Sequence, residues 1–518
     1  MKKHTIIIAA AMLTLTATAQ ETYQAATLLR PELNGTARYV GMGGAMEALG
    51  ADISTISTNP AGIGLFRHSS ANLSFGIISQ QDAPKMDGAD KTHASFDQAG
   101  FVYSMRTGRN SFLNFAFNYT KSRDFNNILH ASGRANRSSQ NQLTYDKADK
   151  EIISIEEDKN GFYSDNLSSN QVDLLHMNYT LYDPQAKPEW RWGYYESDTY
   201  DMLRQQHGYI GKYDLNVSGN IKDKVYLGLT IGIHDVHYNA YSEYEEVFSD
   251  NYGGALLVDE QRITGTGFDF KAGVIVRPIA ESPFRFGFSV STPTFYDLTT
   301  SNYTELHVVD KNSGRNAQGY ISSDYDFRLN SPWRFGASLG HTVGNMLALG
   351  VSYEFADYGK TDNREIDGYD IYGGETSSSD RAMNYHTKKT LKAVSTLKVG
   401  AELRPDPSFA IRLGFNYLSP MFEKNGYKDV TLNSIGNYYS SSTDYTNWED
   451  TYRVTAGVGY RIDKFNIDLA YQYNTTNGSF TPYMYIKEDE VSKGSYPPET
   501  VKVSDKRHQV MLTLGYTF

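Results

Sequence analysis

The chain has 518 residues, with 49 Lys plus Arg against 60 Asp plus Glu, so its formal net charge is −11. This acidity argues against a nucleic-acid partner, because binding to a phosphate backbone requires a basic surface. The sequence contains no cysteine, which excludes disulfide bonds and thiolate metal sites. Its mean hydropathy of −0.51 is too polar for a bundle of membrane-spanning helices.

The N-terminal residues have the pattern of a secretory signal. Two lysines precede an apolar stretch at 5–15, and an Ala-Thr-Ala site follows just before Gln20. An uncleaved membrane anchor is the alternative, but the apolar stretch is far shorter than the ~20 residues that a spanning helix needs. We therefore interpret residues 1–19 as a signal peptide and expect the mature chain to leave the cytoplasm.

Residues 20–68 do not alternate between apolar and polar side chains. Within this stretch, the sequence GGAMEALG at 43–50 predicts a short helix bounded by glycines. In the segment Asn59-Pro60-Ala61-Gly62, the proline lacks an amide proton and the glycine permits unusual backbone angles. The segment is therefore predicted to be a sharp connector with few main-chain hydrogen bonds. A plain turn leading into the next element is the alternative.

From Ser69 onward, runs of about ten residues alternate between apolar and polar side chains, which is the period of a strand with two unlike faces. The stretches 465–473 and 510–518 are clear examples. The pattern predicts fourteen strands. They are expected to begin near Ser70, Gln98, Ser111, Gly208, Lys224, Ile263, Pro283, Tyr325, Met346, Thr396, Ser408, Tyr452, Lys464 and Arg507.

The connections between these strands alternate between short and long. The short ones carry turn residues and lie at 107–110, 219–224, 277–282, 341–345, 405–408 and 462–464. The long ones lie at 120–206, 238–261, 356–389, 419–450 and 474–505. An even number of strands with short turns at one end and long loops at the other is typical of an outer-membrane β-barrel.

The two faces of the predicted strands differ in chemistry. One face is rich in Phe, Tyr, Leu and Val, whereas the other carries charges, including Asp269, Lys271, Glu354, Arg453 and Asp468. A soluble propeller or a pair of β-sandwiches would also alternate, but a soluble core does not tolerate so many charges. We therefore predict an all-β fold, a 14-stranded antiparallel transmembrane β-barrel at 69–518, with residues 20–68 as an N-terminal hatch inside the lumen.

The predicted hatch resembles that of a known family. Its glycine-rich run, followed by Ala51-Asp52, a Ser/Thr-rich stretch and Asn59-Pro60-Ala61-Gly62, is similar to the FadL and TodX family of outer-membrane transporters. The resemblance implies a fourteen-stranded barrel that carries long-chain fatty acids or aromatic hydrocarbons across the outer membrane of a Gram-negative bacterium. It also implies that residues 59–61 lie against an inward kink of the third strand, here 111–121, which would open a lateral gap in the wall.

The leading hypothesis is passive transport of hydrophobic molecules, gated by Asn59, Pro60, Ala61 and Gly62. We expect no enzymatic activity, no cofactor and no metal site. The expected partners are a hydrophobic small molecule, outer-membrane lipid and the barrel assembly machinery, which would engage the C-terminal Phe518.

Four cations predicted to face the lumen are candidates for pairing with an acidic ligand head group. They are Arg285, Arg334, Lys398 and Arg412. A bracing ladder of ion pairs with Asp and Glu is the alternative for each of them.

Two other functions stay open. The barrel could anchor a surface binding or adhesion protein that works through its long loops. It could also be an enzyme that uses His234 with a distant acid, because the neighbouring Asp235 points to the opposite face of the strand. The apolar second half of the loop at 120–206 suggests a docking groove for an apolar ligand, and packing of the loop on itself explains it equally well.

Overall fold

The computed structural model describes residues 21–159, 161–188, 191–279, 281–486 and 496–518. The predicted signal peptide at 1–19 lies outside these residues. No helix of the described residues is both long and apolar enough to cross a membrane. The strands of the described chain are β1 (Ser70–Gln80), β2 (Thr92–Gly108), β3 (Ser111–Asp124), β4 (Asn127–Arg134), β5 (Glu156–Asp158), β6 (Gly161–Tyr163), β7 (Ser197–Ile221), β8 (Val225–Phe248), β9 (Gly253–Val276), β10 (Arg285–Ser291), β11 (Phe295–Asp310), β12 (Arg315–Asn330), β13 (Arg334–Val343), β14 (Leu347–Asp357), β15 (Asp362–Tyr369), β16 (Glu375–Ser379), β17 (Ala393–Asp406), β18 (Phe409–Leu418), β19 (Tyr445–Ile462), β20 (Phe465–Thr481) and β21 (Val501–Thr517).

Nineteen of these strands form one antiparallel sheet, and β5 and β6 form a separate hairpin. The sheet closes on itself because β1 also pairs with β21, from Ser70↔Thr517 to Gln80↔Arg507. Five positions in the wall are interrupted and consist of two segments each: β3 with β4, β10 with β11, β12 with β13, β14 with β15, and β16 with β17. The barrel therefore has fourteen strand positions, which confirms the predicted fold.

The connections agree with the prediction at one end of the barrel and differ at the other. All six predicted short turns join consecutive wall strands. The predicted long loop at 238–261 is wrong, because β8 and β9 continue through it and meet at 249–252. On this part of β8 the outward side chains include the exposed Glu243 and Glu245. A strand that extends beyond the bilayer has water on its outer face, so the apolar–polar alternation disappears there.

The faces of the wall are inverted relative to a soluble protein. On β8, Leu229 and Ile231 are exposed to 66% and 47%, whereas Thr230 between them is 2% exposed. On the adjacent β9, Asp269 and Lys271 point inward and are 0% and 3% exposed. An apolar outer surface around a charged interior is the arrangement of a barrel surrounded by lipid.

Residues 21–68, called the hatch from here on, lie inside the barrel. They contact strands on opposite sides of it: Gly43 lies against Phe415 of β18, and Pro60 lies against Gly228 of β8. The helices of the described chain are α1 (Thr22–Leu29), α2 (Ala37–Gly41), α3 (Gln140–Asp149), α4 (Gln171–His176), α5 (Arg381–Thr390) and α6 (Ile435–Tyr438), and the hatch also contains 3-10 turns at Ile53–Ser57 and Pro60–Leu65.

The helix predicted at 43–50 is wrong. The helical residues precede it, in α2, and the predicted stretch consists of turns. Gly43, Gly44 and Gly50 adopt φ values of 62°, 79° and 61°, which lie in the left-handed region that ends a helix. The glycines that were expected to bound a helix therefore form turns instead.

The long loops form a compact cap beyond the barrel. Leu143 of α3 and Val172 and Leu175 of α4 pack in one core with Tyr200 and Phe248 of the extended strands. Met177 and Leu181 are also buried. For these side chains, self-packing of the loop at 120–206 explains the apolar composition.

Candidate functional site at the hatch and the barrel wall

The segment Asn59–Gly62 packs tightly on the wall near the end with short turns. The Asn59 side chain caps the turn Pro60–Leu65 by accepting a hydrogen bond from the Ala61 amide at 3.2 Å. Ser218 Oγ of β7 donates to the Pro60 carbonyl oxygen at 2.8 Å. A Cβ atom added to Gly228 of β8 would lie only 2.4 Å from this carbonyl carbon, so the close approach depends on glycine. This segment is therefore anchored to β7 and β8.

The third strand is interrupted, but not where the resemblance implied. β3 pairs regularly from Phe112 to Lys121, its register with β7 shifts between Lys121 and Arg123, and the strand ends at Asp124. The segment 59–61 contacts β7, β8 and β9 instead of this interruption. The implied contact between 59–61 and a kink at 111–121 is therefore wrong, because β3 is regular there and the hatch residues that contact its interruption include Glu32 and Asn34.

A seam without main-chain pairing separates β2 from β3. Their pairing ends at Gln98↔Thr120, although β2 extends to Thr92 and β3 to Asp124. We call residues 92–97 and 121–124 the β2–β3 seam. The Asn34 amide nitrogen lies 3.1 Å from Asp97 Oδ1 of β2 and 2.9 Å from the Lys121 carbonyl oxygen of β3. One hatch side chain thus bridges the two strands where their ladder is missing.

Charged side chains hold β3 in shape at its interruption. Lys121 Nζ lies 2.6 Å from Asp124 Oδ2, and His93 Nε2 of β2 lies 3.2 Å from the same oxygen. The Asp124 amide donates to Glu32 of the hatch at 2.7 Å. The seam is therefore closed by polar contacts of single side chains, which can separate without breaking a strand ladder.

Two of the four candidate head-group cations are already paired. Lys398 Nζ lies 2.8 Å from Glu47 Oε1, and Arg412 binds Glu402 and Asp468 at 2.6 Å each. These pairs brace the hatch and the wall, as the alternative interpretation predicts.

The other two candidates lack such a pairing with a carboxylate at hydrogen-bonding distance among the described residues. Arg285 Nη1 donates to the Leu49 carbonyl oxygen of the hatch at 3.0 Å. Arg334 lines an internal cavity together with Glu354 and Tyr358. The four cations do not form one site.

Two small cavities between the hatch and the wall border α1. The outer cavity, about 140 Å³, is lined by Tyr23 and Gln24 of α1 and by residues of the cap. The inner cavity, about 150 Å³, is lined by Leu28 and Leu29 of the same helix and by wall residues that include Arg334. Because α1 and the residue after it, Arg30, contribute to both linings, this helix forms the partition between the cavities.

The inner end of the lumen is closed by an ion network. Arg38 of the hatch lies 2.9 Å from Glu402, and Glu402 also pairs with Arg412 and, at 2.8 Å, with Arg404. Glu402 lies close to the short turn at 405–408, which places the network at that end of the barrel. An apolar molecule would have to separate buried charges to leave along the barrel axis.

His234 does have a distant acidic partner. Its Nε2 lies 3.1 Å from Asp269 Oδ2, and its Nδ1 lies 3.3 Å from the Tyr296 hydroxyl. Asp269 also binds Lys271, which lies 3.5 Å from Asp214, and Ser57 of the hatch donates to Asp214. The network thus connects the hatch to the wall, and its contacts serve to position the hatch.

Sequence reasoning missed Asn34, Arg30, Glu32, Arg123 and Arg507 as site residues. The first three lie in a segment without periodicity, so no local pattern marks them. Arg507 belongs to a predicted strand, but nothing in its neighbourhood indicates which hatch residues it faces.

Comparison with solved structures finds the same fold in a protein of very different sequence. A Pseudomonas aeruginosa FadL homologue has a TM-score of 0.51 at 13% identity, with 94% of this chain and 99% of that chain covered. The Ralstonia pickettii toluene transporter TbuX has a TM-score of 0.48 at 14% identity, with the same coverage. The P. putida toluene transporter TodX has a TM-score of 0.47 at 11% identity, also with the same coverage. No family model and no curated protein matches the chain. The similarity to the FadL homologue confirms the predicted resemblance at the level of the fold.

Proposed function

We propose that this protein is an outer-membrane channel of a Gram-negative bacterium for the passive transport of hydrophobic molecules, such as long-chain fatty acids or aromatic hydrocarbons. The observation that carries the proposal is a β-barrel with an apolar outer face and the fold of the FadL homologue. Its lumen is closed by a hatch, and its wall has a seam beside that hatch. The names of the structural neighbours, a FadL homologue and toluene transporters, support the class of ligand.

The closed state requires α1 to move before a ligand can pass. Each cavity, at about 140 and 150 Å³, is smaller than the roughly 300–1,000 Å³ of ordinary small-molecule sites. Because α1 separates the two cavities, its displacement would join them into one passage. The ligand would then enter from the cap, pass Tyr23 and Gln24, and reach the apolar side chains of Leu28 and Leu29.

We further propose that the ligand leaves sideways through the β2–β3 seam. The axial route ends at the ion network of Arg38, Glu402 and Arg412, whereas the seam is bridged by the Asn34 amide and by one contact between His93 and Asp124. The anchored segment 59–62 would act as the fixed end about which the rest of the hatch moves. We also propose that Phe518, which is exposed, contacts the barrel assembly machinery.

A reversible disulfide between the hatch and the cap tests this proposal. Thr22 of α1 and Thr387 of α5 have hydroxyl oxygens 2.8 Å apart, and the natural chain has no cysteine to interfere. In Thr22→Cys/Thr387→Cys, oxidation should abolish uptake of radiolabelled oleate and toluene by cells, and reduction should restore it. The matched control is Thr481→Cys/Thr500→Cys, which joins β20 to the residue before β21 through hydroxyls 3.0 Å apart and leaves the hatch and the seam free.

Uptake that continues in the oxidised hatch variant, with the disulfide verified by mass spectrometry, would contradict transport past α1. In that case the alternative of a barrel that anchors a surface binding protein would be favoured. Loss of uptake in both oxidised variants would show that oxidation itself, and not the hatch, is responsible.

A further inference from the structure

Four arginines gather around the partition between the two cavities. They are Arg30 after α1, Arg123 of β3, Arg453 of β19 and Arg507 of β21. Arg30 and Arg123 line both cavities, Arg507 lines the outer one and Arg453 lines the inner one. Arg30 is close enough to the other three for their charges to repel its own.

The carboxylates near this arginine cluster do not balance its charge. Arg507 Nε lies 2.9 Å from Asp505 Oδ1, and its Nη1 lies 3.7 Å from Glu32 Oε1. Arg123 Nη1 lies 4.0 Å from the other oxygen of Glu32. Asp124 is already occupied by Lys121 and His93. Four guanidinium groups thus share two carboxylates.

Two of the arginines bind only uncharged acceptors among the described residues. Arg30 Nη2 donates to the hydroxyls of Thr451 and Thr476 at 3.1 and 2.8 Å. Arg453 donates from Nη1 to Asn416 Oδ1 and from Nη2 to the Pro31 carbonyl oxygen, at 2.9 Å each. Neither group has a carboxylate within salt-bridge distance among the described residues, so Glu32 and Asp505 attract them only from farther away and offset less of the cost of their burial.

Arg123 has a donor that the described residues leave unsatisfied. Its Nε atom is buried and has no hydrogen-bond partner among them, although the side chain borders both cavities. A buried donor without an acceptor is unfavourable, and more so when the group is charged. A small group with several acceptor oxygens would satisfy this donor and reduce the repulsion between the arginines.

We propose that the arginine cluster binds an oxyanion, a phosphate or carboxylate group, held between Arg30, Arg123 and Arg453. Planar guanidinium groups suit such anions because they donate two parallel hydrogen bonds. The anion would connect the hatch, through Arg30, to β3 and β19. It would therefore stabilise the closed position of α1. The site does not depend on transport, so it stands or falls separately from the proposed function.

Binding of inorganic phosphate to the full chain in a nonionic detergent tests the site. Isothermal titration gives the affinity, and the fluorescence of Trp448 reports locally because its ring centre lies 5.3 Å from the Arg30 guanidinium carbon. The wild-type protein should bind phosphate. Arg123→Gln should bind it at least about tenfold more weakly, since it loses a charge-assisted contact. Arg123→Lys should retain part of the affinity.

The control variant is Arg364→Gln. Arg364 of β15 pairs with Asp362 at 2.9 Å and lines neither cavity, so its replacement should leave phosphate binding unchanged. If Arg123→Gln fails to fold by circular dichroism, Arg453→Gln takes its place, with the same expected loss.

A second pair of ligands identifies the source of the oxyanion. Dodecyl phosphate that binds at least tenfold more tightly than inorganic phosphate would indicate the head group of an amphiphile, whereas equal affinities would indicate a free ion. Dodecyltrimethylammonium has the same chain and the opposite charge, and it should not bind. The proposal is overturned if the wild-type protein binds neither phosphate compound, if folded Arg123→Gln binds like wild type, or if the cationic amphiphile competes equally.

Discussion

Glu47 of the hatch and Lys398 of the barrel wall form an ion pair of 2.8 Å, although 351 residues separate them in the sequence. Both side chains are more than nine-tenths buried, with exposures of 7% and 9%. Tyr39 also donates to Glu47, and Ser352 of β14 donates to the other carboxylate oxygen. This pair connects the hatch to β17, so its strength bears directly on how firmly the lumen is closed.

Removing one charge of this ion pair should strongly reduce the free energy of unfolding. Glu47→Gln leaves Lys398 buried without its counter-charge, which is expected to cost about 3–5 kcal/mol in the free energy of unfolding. The double variant Glu47→Gln/Lys398→Met should lose less free energy of unfolding than the two single variants lose together, because it leaves no unpaired charge. Urea unfolding in detergent measures these energies.

The exposed pair Lys502–Glu449, also at 2.8 Å, is the control, and Lys502→Met should cost less than about 1 kcal/mol. Equal losses in Glu47→Gln and Lys502→Met would show that the buried pair does not secure the hatch.

The hatch lies so close to β14 at Gly350 that a side chain at this position should displace it. A Cβ atom there would lie 1.9 Å from the Ala45 carbonyl oxygen, so Gly350→Ala must displace the hatch backbone. We expect hatch residues to become accessible to limited proteolysis in this variant. Gly193→Ala is the control, because nothing lies within 4 Å of its added Cβ. An undisturbed hatch in Gly350→Ala would mean that the two backbones are not in firm contact.

The β2–β3 seam should open when the Asn34 amide is removed. Asn34→Ala loses the contacts to Asp97 and to the Lys121 carbonyl oxygen, worth about 1–2 kcal/mol together. Amide hydrogen exchange at 92–97 and 121–124 should then become roughly five- to thirty-fold faster. Asn239→Ala, on β8 away from the hatch, should leave these rates unchanged. Unaltered exchange in Asn34→Ala would show that the seam is held by other contacts.

The cap should become less stable as the pH rises. Burial raises the pKa of the Glu246 carboxyl to about 7 from its ordinary value of 4.5, opposed by hydrogen bonds from the Gln140 amide, Tyr244 and Ser197. Glu246 lies beyond the apolar band of β8, in the cap. The folded state binds the Glu246 proton more tightly than the unfolded state does. This proton therefore stabilises the folded cap fully below pH 4.5. This stabilisation, about 3 kcal/mol, is lost as the pH rises through 7.

Glu246→Gln keeps the shape of the side chain without titrating, so it should remove most of this pH dependence. Amide exchange of α3 between pH 5 and 8, corrected for the intrinsic rate, provides the measurement. A wild-type cap that is equally protected at both ends of this range would contradict a protonated Glu246.

The strands were predictable because their pattern is local. Alternation in 465–473 follows directly from lipid on one face and the lumen on the other, and turn residues mark the ends of such runs. The same logic failed beyond the bilayer, where β8 and β9 have water on the outer face. The helix predicted at 43–50 was wrong for another reason, because the glycines expected to bound it adopt positive φ and form turns.

The barrel, its strand number and the chemistry of its two faces could be predicted from the chain alone, because a strand between lipid and lumen alternates with a period of two residues. The packed fold was needed to find that Asn34 bridges the seam, that Lys398 and Arg412 are paired, and that Arg30 lies near Arg123 and Arg453. These contacts join residues tens to hundreds of positions apart across a closed lumen. Pairing energies between such residues leave no periodic trace in the chain that would reveal the partner.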